Sequence, residues 1–219
     1  MWFLQSGLTL EQTLMTIVAL LITIFIVLPI HEWAHGFVAY KFGDNTAKIN
    51  GRLTLNPLKH IDPLGAMAMI LFKFGWAKPV PVDARNFKNP RLGMALTALA
   101  GPMSNLIVAL LFAFVFRSLF QFINLLSINA IVYITTFIIT IIRINIGLAV
   151  FNLIPAPPLD GSKILGAFLP DKYLQKYYQY EGYIISAIFL LMITNVFSIP
   201  LSFFQNIIFN GIMWLVGFN

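Results

Sequence analysis

An apolar run from Leu14 to Ile30 ends on His31-Glu32-Trp33-Ala34-His35, and no other feature constrains this chain as much. The run approaches the ~20 residues that a bilayer-spanning helix needs, and ionisable groups at membrane depth are costly unless they are used. On a helix at about 100° per residue, His35 lies about 40° round from His31 and Glu32 about 100°, so the three share one face. Two imidazoles one turn apart can both reach a zinc ion, and the Glu beside them can take a proton from a metal-activated water. The chain holds only three His and three Glu, so the pattern is not a by-product of abundance.

The rest of the composition agrees with a membrane setting. The 219 residues are 59% hydrophobic and only 10% charged, and several other apolar runs approach or exceed bilayer length. One all-α integral membrane domain covering residues 1–219 is expected. A net charge of +6 is compatible with a nucleic-acid partner, but nine of the fourteen Lys and Arg fall between Lys41 and Arg91. Clustered between apolar runs, they read as the positive-inside bias of a cytoplasmic loop, and no nucleic-acid partner is expected. The absence of cysteine excludes disulfides and thiolate ligands. The N-terminal run lacks a basic flank and a small-residue cleavage site, so it is not expected to be a cleavable signal.

Taken in order, Met1 to Leu8 is expected at the interface, and Thr9 with Gln12 fits a capping box opening a helix that runs to about Lys41. Pro29 should kink it just before His31. Asn50-Gly51, between Thr46–Ile49 and Arg52–Leu55, predicts a small interfacial β-hairpin. Leu64 to Trp76 is apolar, interrupted by Lys73 and too short to span, so it reads as re-entrant or interfacial. Further spans are expected over about Pro90–Phe116 and Ile128–Ile154. The latter breaks at Pro155-Ala156-Pro157-Pro158-Leu159-Asp160-Gly161, because a run of prolines cannot continue a helix. Two more apolar stretches, about Gly182–Val196 and Leu201–Phe218, bring the expected count to about five. With the basic loop inside, the N-terminus lies outside and His31, His35 and Asp160 all fall near the cytoplasmic side of the cell membrane.

Catalytic zinc usually takes three protein ligands and a water. Asp160, His60, Asp62 and Glu181 are the candidates for the third. Asp160 is preferred because the Pro-rich turn frees it to point inward, although it could instead cap the helix that follows. Gly161 suits a close backbone approach there. His60 reads as a ligand, a substrate contact or a surface residue. Arg143 sits well inside a span, where it either pairs with an acid or snorkels to the interface, and the sequence does not decide between the two.

His31-Glu32-x-x-His35 at a membrane helix end, then Gly101-Pro102-x-x-Asn105 and Asn152-Leu-Ile-Pro155-x-x-Pro158-Leu159-Asp160-Gly161, resemble the site-2 protease family of intramembrane zinc metalloproteases. Asn56-Pro57-x-x-His60-x-Asp62-Pro63-x-Gly65 and the Trp76–Asn86 stretch are similar to its short branch. The resemblance covers about Ile30 to Leu165. It implies that His31, His35 and Asp160 bind one zinc per chain and that Glu32 is the catalytic acid/base. It also implies a transmembrane segment of another protein as substrate, cleaved within or near the bilayer. Asn152 and Asn105 are the neutral donors considered for the oxyanion, with interhelical hydrogen bonding as their plainer role. Nothing encodes a PDZ or CBS domain, and no span is expected ahead of the helix carrying His31. The alternatives are a catalytically silent metal-binding membrane scaffold and a divalent metal transporter.

Overall fold

A computed structural model describes residues 9–72, 75–194 and 196–218; the N-terminal stretch to Leu8 and the interruption at Lys73 lie outside them. Helix α1 spans Leu10–Lys41. It opens on the expected capping box, in which Thr9 Oγ1 accepts from the Gln12 amide at 3.3 Å and Gln12 Oε1 from the Thr9 amide at 3.1 Å. Its middle loosens into a π-helical stretch, Thr23–Val27. Pro29 lies just beyond, where it offers no N–H to the preceding turn, and the wider winding takes up that break in the ladder.

Beyond α1 come α2 (Thr46–Ile49), α3 (Pro63–Phe72), α4 (Pro90–Phe120), α5 (Ile128–Asn152), α6 (Asp160–Phe168), α7 (Asp171–Gln179), α8 (Glu181–Ile193) and α9 (Ser198–Leu215). Among the described residues three helices, α1, α4 and α5, are long and apolar enough to cross a membrane. The expected count of five is not reached by that measure. At 13 residues, α8 extends only about 20 Å against a hydrocarbon core of about 30 Å. Helix α9 carries three amides, Gln205, Asn206 and Asn210, among its apolar residues.

Helix α4 is the spine, packing against α1, α5 and α6. Its buried face is built from small side chains, including Gly93, Ala95, Ala98, Gly101, Ala109 and Ala113. Lipid tails are as apolar as Leu, so helices associate in a bilayer through close van der Waals packing, which small residues permit. Ala109 and Ala113 meet Ile138, Ile142 and Ile146 of α5 and Ile212 of α9 in the main core. A second cluster sets Leu20, Ile24 and Leu28 of α1 against Met69 of α3. Ile61 and Ala77 pair as an isolated antiparallel bridge. The segment between them therefore returns to the side it left, as a re-entrant or interfacial excursion must.

The predicted β-hairpin is wrong: there is no strand ladder among the described residues, and Thr46–Ile49 is a short helix. Asn50-Gly51 ends that helix instead of turning a ribbon. Gly51 takes φ +62°, its amide donates to the Lys48 carbonyl at 3.0 Å, and the Arg52 amide donates to Ala47 at 2.8 Å. That pair of bonds is a Schellman C-cap, which wants the same left-handed glycine as a type I′ turn.

Asp44, wholly buried, organises this region. Its carboxylate accepts from the Thr46 amide (3.0 Å) and hydroxyl (2.5 Å), the Asp83 amide (2.8 Å) and Asn86 Nδ2 (2.7 Å). Burial pushes its pKa up, but the bonds from Thr46, Asn86 and the Asp83 amide outweigh it and hold the carboxyl below its usual value. With the folded pKa lowered, the stabilisation is complete above the unfolded value of about 4 and is lost as pH falls through the folded one. Hydrogen exchange at the Thr46 and Asp83 amides should accordingly accelerate as pH is lowered below about 4, beyond the intrinsic dependence. Asp44→Asn should show the same loosening at neutral pH. An NH₂ then faces at least one donor, a stranded polar pair costing about 1–3 kcal/mol. Unchanged protection in that variant would refute the assignment.

Candidate metal centre

Through this anchor the extended stretch 77–83 is laid across the C-terminal part of α1. Lys78 donates its amide to the His60 carbonyl at 2.7 Å, and Arg52 Nη2 donates to the Lys78 carbonyl at 2.8 Å. Pro79 and Pro81 have no N–H and hold their predecessors extended. Val80 is thus the one main-chain donor of residues 79–81. It donates to Glu32 Oε2 at 2.9 Å in a buried bond, which leaves the other carboxylate oxygen uncommitted to it.

His31, Glu32 and His35 are all buried on α1. The two Nε2 atoms stand 3.0 Å apart, with the rings nearly perpendicular. Asp160, the first residue of α6, is also buried and brings Oδ2 to 3.4 Å from His31 Nε2 and 3.2 Å from His35 Nε2. Its other oxygen, Oδ1, lies 3.7 Å from Lys163 Nζ. The structure thus brings together, from α1 and α6, the three residues the sequence nominated as ligands.

The arrangement fits a zinc ion on the chemistry of its donors. His35 Nδ1 lies 2.7 Å from the Thr97 carbonyl oxygen. A carbonyl can only accept, so Nδ1 carries the proton and the Nε2 lone pair is left facing the cluster. Two imidazole nitrogens and a carboxylate oxygen converging on one point are a zinc-type set. Glu32 belongs to the same cluster by proximity, its carboxylate lying within 4.8 Å of both histidine donors. Its bond to Val80 and the closer approach of Asp160 to both rings separate the two carboxylates.

The cluster opens onto a cavity of about 500 Å³. Its walls include Trp76, Val80 and Val82 from the extended stretch, at whose start Trp76 stands, Met94 and Ala98 from α4, and Phe151 and Asn152 from α5. Asn152 therefore reaches the cavity, while its Nδ2 donates to the Leu148 carbonyl at 3.0 Å. Asn105 does not line it. It is buried one turn along α4 from Gly101, with neither side-chain polar atom bonded among the described residues. His60 is also elsewhere: wholly buried, its Nε2 lies 2.7 Å from the Thr54 carbonyl, so it braces the loop below the extended stretch.

Sequence reasoning missed four contributors: Gly101 as a contact of the histidines, the Thr97 carbonyl, the Val80 amide and Lys163. A Cβ at Gly101 would stand 2.3 Å from His35 Nε2 and 2.6 Å from His31 Cε1, so only glycine lets α4 lie this close to the site. Thr97 precedes Gly101 by one turn, and its position follows once Gly101 is placed. Gly161 meets its expectation of close approach, since a Cβ there would fall 2.3 Å from the Leu153 carbonyl oxygen.

Comparison with known proteins fits this geometry. The profile of peptidase family M50 matches residues 19–193. The YwhC protein of Bacillus subtilis, provisionally named a zinc metalloprotease, is 42% identical over 177 residues, covering 80% of each chain. The Rip2 protein of Mycolicibacterium smegmatis, likewise provisionally named, is 31% identical over 138 residues, which is 61% of this chain and 51% of that one. A zinc metalloprotease of Methanocaldococcus jannaschii is 31% identical over 154 residues, 70% of this chain and 35% of its own. No solved structure matches significantly. The scaffold and transporter readings are not favoured by these likenesses. The chain belongs to peptidase family M50, the site-2 protease family, and is an intramembrane zinc metalloprotease.

Proposed function

We propose that this metalloprotease cleaves transmembrane segments of other membrane proteins, with His31, His35 and Asp160 as zinc ligands and Glu32 as general acid/base. The observation that carries the reading is the convergence of His31 Nε2, His35 Nε2 and Asp160 Oδ2 within 3.4 Å of one another, beside a carboxylate, at the wall of a cavity. A zinc ion held there would supply Lewis acidity and make its bound water acidic enough to deprotonate near neutral pH.

The protein's own groups do the rest. Glu32 is held through one oxygen by Val80, and its other oxygen takes a proton from the attacking water and returns it to the leaving amine nitrogen. Hydrolysis balances in that way, with the hydroxyl going to the acyl carbon and the proton to the amine. Asn152, on the cavity wall, donates its remaining amide hydrogen to the scissile carbonyl. The mostly apolar walls lower the local dielectric, which strengthens each of these interactions.

The cluster of basic residues between Lys41 and Arg91 supports a cytoplasmic site and an outer N-terminus in the cell membrane. In this topology α1 enters the basic segment, α4 leaves it, α5 returns, and α8 and α9 complete a multi-pass, five-segment arrangement within the bilayer.

Zinc analysis and cleavage of a detergent-solubilised transmembrane peptide test the proposal together. About one zinc per chain is expected, with cleavage lost on chelation and restored by zinc. Asp160→Ala should fail to restore at the zinc concentration sufficient for the native chain. Restoration in that variant at the native concentration would remove Asp160 from the ligand set.

A further inference from the structure

Arg143 is the one charged residue in the middle of α5. It is the sixteenth of 25 residues, three beyond the helix midpoint at Thr140, which is only about 4.5 Å along the axis. Once α5 spans a bilayer, the guanidinium sits close to the midplane, where charges are rare and are paired or turned to protein or water. Arg143 is nevertheless exposed. Its Nη1 donates to Asn206 Oδ1 at 3.2 Å, and its Cζ lies 4.3 Å over the Phe209 ring. Both neighbours are uncharged, and no carboxylate lies within salt-bridge distance among the described residues.

The metal centre does not account for this charge. The α5 residues lining the cavity are Leu148, Phe151 and Asn152, and Asn152 stands about 180° round the helix from Arg143. A second copy does not supply the missing acid either. Of the eight acidic residues, only Glu11, Glu32 and Glu181 lie in helices placed in the bilayer; Glu11 and Glu181 are in the first turns of α1 and α8, at helix ends, and Glu32 is in the site. The exposed amide of Asn206 beside it extends the polar patch onto α9. Phe203 of α9, 61% exposed, gives it an apolar border. A helix carrying a carboxylate at the same depth would match this surface in both charge and depth.

We infer that the Arg143–Asn206 patch of α5 and α9 is a docking site for a transmembrane helix of another membrane protein bearing Asp or Glu near its middle. The site is separate from the catalytic cavity, and the inference goes beyond the hydrolytic reading. It rests on α5 spanning the bilayer with α9 packed beside it.

The test uses the full-length protein in phosphatidylcholine nanodiscs and leucine-based transmembrane peptides with a central Glu, Gln or Leu. Energy transfer between labelled protein and peptide is measured at about pH 8, because burial raises a carboxyl's pKa. The Glu peptide should associate at least tenfold more tightly than the Gln peptide. Arg143→Met should abolish the difference, and Arg143→Lys should keep part of it. Equal association of the Glu and Gln peptides with the native protein overturns the inference, whatever the variants do. So does a preference that survives Arg143→Met. Transfer between two native copies that Arg143→Met abolishes, with no preference for the Glu peptide, would identify the occupant as a second copy. Arg143-dependent recruitment of anionic lipid with no preference for the Glu peptide would identify it as lipid phosphate. Either result also overturns the inference.

Discussion

Glu32→Gln keeps the native zinc content and loses about two to four orders of magnitude in cleavage rate, the usual worth of a positioned acid/base. The substitution is nearly isosteric. Its carbonyl oxygen can still accept the buried bond that Val80 donates to Oε2 at 2.9 Å, so the extended stretch keeps its seat on α1. The putting-together of His31, His35 and Asp160 is untouched, since none of their contacts runs through Glu32. What is lost is the group that accepts and returns a proton. Zinc stoichiometry and single-turnover cleavage of the same detergent-solubilised peptide read the two effects separately. Loss of zinc in the variant would make Glu32 a ligand, and undiminished cleavage would remove it from the mechanism.

The parts legible in the sequence are those whose signal is local. The His31–His35 pattern, the capping box at Thr9 and the proline break before Asp160 each declare themselves within a few residues, and all three are where the spacing puts them. The three long helices follow from apolar length alone. The errors arose where one local signal serves two structures. Asn50-Gly51 supplies a left-handed glycine to a hairpin or to a helix end, and the choice is made by Asp44. Its partners Asp83 and Asn86 lie 39 and 42 residues further on, beyond the reach of any local pattern. The supports of the centre were hidden for another reason. The Thr97 carbonyl and the Val80 amide are main-chain groups, 62 and 48 residues from the side chains they hold, and a main-chain group has no residue identity for a motif to record.

Gly101→Ala is expected to do what Glu32→Gln does not: remove the metal. The added methyl would need to sit 2.3 Å from His35 Nε2, 2.5 Å from its Cε1 and 2.6 Å from His31 Cε1. None of these neighbours is the loose end of a flexible chain. His35 is tied to the Thr97 carbonyl of the same helix, so α4 cannot back away without pulling on the ring it holds. Overpacking of this kind typically costs about 1–3 kcal/mol, while Ala in place of Gly returns up to about 1 kcal/mol of helix propensity. Global stability therefore falls by no more than about 3 kcal/mol, less than the about 5–15 kcal/mol that holds a fold together, and helicity and the size-exclusion profile should stay native. Ligand geometry does not enjoy that compensation. Disturbing the groups that orient zinc ligands typically weakens binding by about 10–100-fold, so chelator competition should show at least that loss, with cleavage falling in step. Gly147→Ala on α5 is the matched control. Its Cβ would meet only the end of Gln205 at 3.3 Å, so zinc affinity and cleavage should both stay native. Native zinc affinity in Gly101→Ala would mean that α4 does not press on the histidines, and the close packing of this helix would lose its role in building the site.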